Sequence, residues 1–196
     1  ALTFALAIDP VTPTTVYVGT ENGAFKSVND GTNWSAINVG LTTTNALTRV
    51  SALAIDPLTP TTLYAGATNG LFKSTDGGAS WNPITNGLPG LPILAVQPNP
   101  RLPGTLYAGT SGNSGFGNDD AFLTKLGVNA FSVILGGALD DQGRDVTVDA
   151  AGRAHWIGTT SSKNFPTTNT FGFLSASNAG LADVFLSELS SDGQTL

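Results

Sequence analysis

The sequence predicts an all-β chain built of repeated four-stranded antiparallel units, the blades of a β-propeller. The stretch from Ala5 to Leu41 aligns without a gap with the stretch from Ala52 to Leu88, at an offset of 47 (52 − 5), with 22 identities in 37 positions. Short apolar runs alternate with turn signals, and no sustained 3.6-residue apolar pattern favours a long helix. Tandem units of about 45 residues with four strands each are typical of propellers.

Each copy of the repeat carries signals for four strands. The first strand ends in Asp-Pro, since proline cannot donate to a sheet ladder, and Asn69-Gly70 is a hairpin signal. The predicted strands of the second copy are Ala52–Asp56, Thr62–Gly66, Leu71–Ser74 and a fourth that begins near Trp81.

The second half of the chain continues the pattern with a different repeat. Ile93–Pro98 and Thr105–Thr110 match the first two strands of a third copy. Asp120–Leu126 then recurs as Asp183–Leu189, at an offset of 63 (183 − 120). The segments RDVTVD (144–149) and AHWIG (154–158) lie between them and have the pattern of strands. We therefore expect one propeller segment over 1–196, with four blades near 1–50, 51–91, 92–138 and 139–196.

The ring is predicted to be incomplete. At the offset of 63, Leu196 corresponds to Val133 (196 − 63), so the last blade stops as its fourth strand begins. Ala1–Phe4 is short for a full outer strand of about five residues. An unfinished blade leaves an open edge that recruits another strand. We expect a second copy, as a homo-oligomer, or missing parent sequence to complete the propeller, rather than closure by Ala1–Phe4.

Two repeat families are similar to these segments. SVNDGTNW (27–34) and STDGGASW (74–81) resemble the Asp-box, or BNR repeat, SxDxGxxW, and their surroundings look like the propellers of sortilin-type receptors and xyloglucanase-type glycoside hydrolases. The part after about residue 110 resembles the SBBP β-propeller repeat of bacterial extracellular proteins. The resemblance covers nearly the whole chain and implies a bacterial protein that is extracellular or on the cell surface.

The two Asp-box segments have a structural chemistry. Asp76 is placed to accept hydrogen bonds from turn amides, Gly77 and Gly78 allow positive φ, and Trp81 covers apolar surface. The first segment has Asn29 where the Asp belongs, and an Asn can also accept from turn amides. The residues assigned to these structural turns are Ser27, Asn29, Gly31, Trp34, Ser74, Asp76, Gly78 and Trp81.

Composition argues against several classes of partner. The net charge is −6, and the eight Lys and Arg residues do not cluster, so the chain lacks the basic face that nucleic acid needs. No run approaches the ~20 apolar residues of a membrane helix, so no membrane insertion is expected. Cysteine is absent, which excludes disulfides and thiolate chemistry.

The residues that could carry chemistry do not form a recognised centre. His155 is the only histidine, and no GxSxG motif accompanies it. The strand-end acids Asp9 and Asp56 are repeat-equivalent, with Gln97 in the third copy, and are interpreted as structural. The four arginines (Arg49, Arg101, Arg144 and Arg153) are scattered. No catalytic, cofactor-binding or metal-binding residue is therefore assigned.

Acidic pairs at Asp119-Asp120 and Asp140-Asp141, with Asp145 near the latter, raise a calcium site as a minor alternative. The segment from Asp141 to Asp145 does not follow the EF-hand pattern. Solvated loop carboxylates that support the turns are the preferred interpretation.

Three functions remain open at this point. The leading hypothesis is a non-catalytic extracellular module that acts as a scaffold or binds a protein or glycan of unknown identity through its loops. The alternatives are a fragment of a carbohydrate-active enzyme, a glycoside hydrolase with a propeller fold, and a structural surface subunit that self-assembles. The sequence favours a non-enzyme without deciding the question.

Overall fold

A computed structural model describes residues 1–41, 48–85, 88, 91–113, 119–166 and 182–191. Within these ranges the chain contains strands and turns and no helix, which confirms the predicted all-β fold. The strands form four antiparallel sheets, and these are the four blades of a β-propeller. The predicted start of a fourth strand at Leu196 and most of the long loop after Thr160 lie outside the described residues.

The first two blades are four-stranded sheets with the strands in sequence order. Blade 1 contains β1 (Thr3–Ile8), β2 (Val16–Thr20), β3 (Gly23–Ser27) and β4 (Ser35–Ala36). Blade 2 contains β5 (Val50–Ile55), β6 (Leu63–Ala67), β7 (Gly70–Ser74) and β8 (Asn82–Ile84). The predicted hairpin at Asn69-Gly70 joins β6 to β7, and Gly70 has the positive φ of 127° that the turn needs.

The other two blades continue the same order. Blade 3 contains β9 (Ile93–Pro98), β10 (Leu106–Asn113), β11 (Asp120–Leu126) and β12 (Phe131–Leu135). Blade 4 contains three described strands, β13 (Asp141–Val148), β14 (Ala154–Thr160) and β15 (Asp183–Leu189).

The four blades pack side by side through their first strands. β1 lies against β5, β5 against β9, and β9 against β13. Each of these strands shifts register against its partner near its start, as between Val50 and Ala52, and a bulge of this kind increases the local twist. In the described part of the chain, no comparable packing joins β13 back to β1.

The apolar cores lie between blades, not within them. The core between blades 1 and 2 includes Tyr17, Leu53 and Trp81. A second core joins blades 2 and 3, and a third, around Tyr107 and Trp156, joins blades 3 and 4. Side chains from both neighbours are therefore needed to bury each core, which is the packing logic of repeat proteins.

Candidate functional site

The first strand of every blade ends in a turn held by one polar side chain. Asp9, Asp56 and Asn99 occupy this place in blades 1 to 3, and Asp149 occupies it in blade 4. Their backbone N–H groups donate to the carbonyls of Thr15, Thr62, Thr105 and Arg153 at 2.8–3.0 Å. Their Oδ1 atoms accept backbone N–H groups two to four residues further on. These are Asx turns, which satisfy amides that leave the sheet.

The placement of Gln97 as the third member of this set was wrong. β9 continues through Pro98, which pairs with Leu106, whereas the equivalent pair in blade 2 is Ile55 with Leu63. The turn residue in blade 3 is therefore Asn99, two positions later than the LAVQP segment suggested. Pro100 follows it, so the Asn99-Pro100 dipeptide was the available sequence signal.

The box turns, Ser27–Trp34 and Ser74–Trp81, share one hydrogen-bond pattern. The hydroxyl of Ser74 donates to Asp76 Oδ1 at 2.7 Å and accepts the N–H of Gly78 at 2.9 Å. Asp76 also accepts the N–H and the hydroxyl of Ser80, at 2.9 and 2.6 Å. These bonds, the Ser80 hydroxyl first and then the Ser80 amide and the Ser74 hydroxyl, lower the pKa of Asp76 to about 2.

The first box turn keeps the pattern with fewer bonds. Asn29 Oδ1 accepts the Ser27 hydroxyl at 3.0 Å and the Asn33 N–H at 2.9 Å. Ser27 Oγ also accepts the N–H of Gly31, which has a φ of 82°. Asp30 has a φ of 54°, where the second turn has Gly77. A non-glycine residue in this region is uncommon, although Asp tolerates it better than most.

The tryptophans of the two box turns differ in burial. Trp81 is 3% exposed, and its indole N–H donates to the carbonyl of Ile37 in blade 1 at 2.8 Å. Trp34 is 42% exposed. Blade 1 covers Trp81, and no described blade lies on the corresponding side of Trp34.

The two acidic pairs, Asp119-Asp120 and Asp140-Asp141, lie at the junction of blades 3 and 4. The interpretation as solvated loop carboxylates was wrong for one residue of each pair. Asp120 and Asp141 are both 0% exposed. Asp141 Oδ2 accepts the N–H of Gly137 and the hydroxyl of Ser162, both at 2.8 Å. The backbone N–H of Asp141 donates to the carbonyl of Asp119. Asp120 and Asp141 begin β11 and β13 at this junction, whereas both were interpreted as loop residues.

The calcium alternative near Asp140, Asp141 and Asp145 stays a prediction. Asp145 is exposed, and its Oδ1 accepts the neighbouring N–H of Val146. Within the described ranges, no group of three or more His, Cys, Asp or Glu side chains has the spacing of a metal site.

His155 lies in a cluster of charged side chains on blade 4. Its Nε2 is 3.4 Å from Asp149 Oδ2, and its Nδ1 is 3.7 Å from Glu188 Oε2. Arg153 bridges the same two carboxylates, with an N···O distance of 2.7 Å to each. Hydrogen bonds, from the Arg153 amide first, hold the pKa of Asp149 well below its usual range. Arg49 lies outside this cluster. Its guanidinium group stacks on the ring of Phe4, 3.9 Å from the ring centre.

Exposed aliphatic side chains decorate the strand-end turns of the first three blades. Val11 and Leu58 follow the Asp-Pro of blades 1 and 2 and are 74% and 51% exposed; Leu102, in the same turn of blade 3, is 43% exposed. We call these three residues the aliphatic row. Sequence reasoning missed it, although the two Asp-Pro-aliphatic tripeptides at equivalent positions were a signal.

Comparison with known proteins supports the fold at low identity. The sequence matches no protein-family model and no curated protein. An ancestral GH74 enzyme is 20% identical over 83% of this chain and 22% of its own, with a TM-score of 0.64. The GH74 xyloglucanase from Xanthomonas campestris is 16% identical over 97% of this chain and 29% of its own, also with a TM-score of 0.64.

A third similar structure is YCF48 bound to D1 peptide. It is 12% identical over 86% of this chain and 55% of its own, with a TM-score of 0.53. The chain thus spans less than two thirds of the length of each of these proteins. At these identities the likeness shows the propeller fold. In the described part of the chain, no helix is long and apolar enough to cross a membrane.

Proposed function

We propose that this chain is a non-catalytic propeller module that binds a protein ligand through the aliphatic row. Asp-box blades followed by SBBP-type blades, as in bacterial proteins of the cell surface or the extracellular space, are part of this proposal. The observation that carries it is the recurrence of exposed aliphatic side chains on one turn in three successive blades. Loops at the ends of propeller strands are the usual binding surface.

The chemistry of the strand-end turns supports binding over catalysis. The carboxylates of Asp9 and Asp56 accept the backbone amides of their own turns. A glycosidase instead needs two carboxyl groups that face each other across a sugar. The likeness to YCF48 bound to D1 peptide favours a peptide ligand, since that propeller binds one.

The proposal is tested by selecting binders from a phage-displayed random peptide library and comparing variants. The triple variant Val11→Ser, Leu58→Ser and Leu102→Ser should lose at least tenfold in affinity for the selected peptides, because the row supplies the apolar contact area. Val128→Ser is the matched control, since Val128 is 63% exposed on a different turn. Equal affinity of the wild type and the triple variant would contradict the proposal, as would selection of binders only from a glycan array.

The second candidate is a fragment of a carbohydrate-active enzyme, which the likeness to GH74 enzymes favours. Release of reducing sugar from xyloglucan tests it directly. Turnover that is abolished by Asp9→Asn or Asp56→Asn, in variants with an unchanged melting temperature, would replace the binding proposal by an enzymatic one.

A further inference from the structure

The outer side of blade 1 carries the residues that blade 2 uses to dock on blade 1. Trp34 and Leu6 stand 47 positions before Trp81 and Leu53. Trp81 and Leu53 are 3% and 9% exposed in the core between blades 1 and 2, whereas Trp34 and Leu6 are 42% and 62% exposed. We call the surface formed by Leu6, Ile8, Asp30 and Trp34 the head face. Its apolar side chains are of the kind that a neighbouring blade buries elsewhere in the chain.

The junction of blades 1 and 2 defines what such a neighbour provides. The carbonyls of Ile37 and Val39 accept the indole and backbone N–H groups of Trp81, at 2.8 and 2.9 Å. The hydroxyl of Tyr17 and the ammonium of Lys26 both donate to the carbonyl of Gly77 in the second box turn, at 3.4 and 3.1 Å.

A glycine in the second strand is the third requirement. A Cβ on Gly19 would lie 2.8 Å from Val50 Cγ1, and a Cβ on Gly66 would lie 2.7 Å from Ile93 Cγ2. At these two junctions the next blade therefore approaches too closely for a side chain at this position. Gly109 occupies the same place, the fourth residue of the second strand, in blade 3, where a Cβ would lie 3.6 Å from Trp156 Nε1, an ordinary contact.

The described strands of blade 4 lack the tyrosine, the lysine and the glycine of this junction at the equivalent positions. The fourth residue of β14 is Ile157, whose side chain is 43% exposed. His155 stands where the other blades have a tyrosine. Its cross-strand partner is Glu188, whereas the cross-strand partner of Tyr107 in blade 3 is Lys125. If blade 4 of a second copy docked on the head face, Glu188 would also face the carboxylate of Asp30, which stands in the place of Gly77 in the first box turn. A second copy of the chain, offering blade 4, is therefore a poor fit to the head face.

We propose that the head face docks a further blade like blade 2, supplied by propeller sequence outside these 196 residues. This blade carries a tyrosine and a glycine two residues apart in its second strand and a lysine paired with that tyrosine. Its carbonyls accept the indole N–H of Trp34, and its glycine faces Thr3, the equivalent of Val50. The head face lies at an edge of the arc and shares no residue with the aliphatic row.

A tandem chain tests this docking. Residues 1–47 are repeated ahead of Ala1, which preserves the 47-residue spacing, and the added copy carries Trp34→Phe. The original Trp34 is then the one exposed tryptophan, since Trp81 and Trp156 are 3% and 2% exposed. We expect acrylamide quenching of the tryptophan emission to fall from one accessible residue of three to none, with a blue-shifted emission and a higher melting temperature.

Two further chains make the result decisive. The control tandem chain has Gly19→Ile in the added copy, which reproduces Ile157, and should leave Trp34 as quenchable as in the 196-residue chain. A second tandem chain uses residues 48–94 with Trp81→Phe as the added blade, so that a folding failure of one copy does not decide the test. Trp34 that stays quenchable in both tandem chains overturns the proposal. So does a dimer of the 196-residue chain in light scattering with Trp34 protected, since a second copy would then be the occupant.

Discussion

Blades 1 and 2 are identical at 22 of 37 aligned positions and have different surroundings. Each has an inner strand with a leucine and an isoleucine on the same side, the side that in blade 2 faces blade 1, and each has a tryptophan at the end of its box turn. In blade 2 these residues are packed against Tyr17 and the segment after β4; in blade 1 they face solvent. The comparison shows that the repeat specifies half of an interface, and that the neighbouring blade decides whether the half contributes to stability.

Replacing the tryptophans is the largest test of this comparison. Trp81→Ala should reduce the free energy of unfolding by about 3–5 kcal/mol, since it removes a buried aromatic side chain and its hydrogen bond. Trp34→Ala should cost less than about 1 kcal/mol, because its side chain is already 42% exposed. Urea denaturation of both variants measures the difference. Equal losses would mean that the two blades are equally buried in solution.

The equivalent leucines extend the test to the inner strands. Leu53→Ala should cost about 2–5 kcal/mol, as for other buried leucines, whereas Leu6→Ala should cost less than about 1 kcal/mol. Thermal melts of the two variants are directly comparable, since both residues lie at the same position of the repeat. A Leu6→Ala variant that melts as early as Leu53→Ala would show that the head face is covered in the protein alone.

Substitutions in the acidic pair Asp140-Asp141 test whether burial also decides how much a polar residue contributes to the free energy of unfolding. Asp141→Ala should cost about 2–4 kcal/mol, because it leaves the Gly137 amide and the Ser162 hydroxyl without their acceptor in a buried place. Asp140→Ala, at an exposed position, should cost less than about 1 kcal/mol. Chemical denaturation with and without about 5 mM added calcium, several times the dissociation constant of about 1 mM of the weakest extracellular sites, tests both points. Stabilisation of the wild type by calcium that Asp141→Ala abolishes would support the cation alternative.

The smallest expected effect is the pH dependence of the second box turn. The pKa of Asp76 is about 2 in the fold against an ordinary 3.8, so its carboxylate stabilises the fold above pH 3.8 and this stabilisation is lost as the pH falls towards 2. Asp76→Asn should flatten the melting temperature against pH in that window, and Asn29→Ala should leave the slope unchanged, since Asn29 does not titrate. An unchanged slope in Asp76→Asn would show that other carboxylates dominate acid unfolding.

The strands were predictable because local signals fix them. Asp-Pro, Asn-Gly and the short apolar runs placed the strands of blade 2 within one or two residues of the observed β5 to β8. Asn99 was missed because an apparent sequence match, LAVQP with LAIDP, differs by two residues from the actual strand register. Burial of Asp141 was missed because it depends on contact with another blade, to which the local sequence gives no clue.

The contrast between Trp34 and Trp81 was beyond sequence reasoning for the same reason. Both stand in the same motif, and their exposure is set by what lies across the interface. The same holds for the candidate binding residues. The aliphatic row consists of residue types that are common in protein cores, and only their exposure in the structure distinguishes them from core residues.

Placing every core between two blades has a consequence for how the chain unfolds. Each blade is stabilised by the blades packed against it, so the free energy of the arc is close to a sum of blade terms and nearest-neighbour terms. Among the described residues, blades 1 and 4 each contribute to one junction, whereas blades 2 and 3 contribute to two. Opening should therefore start at the two ends and move inwards, and amide protons in β1 should exchange with solvent faster than those in β5, although the two strands are identical at four of six positions.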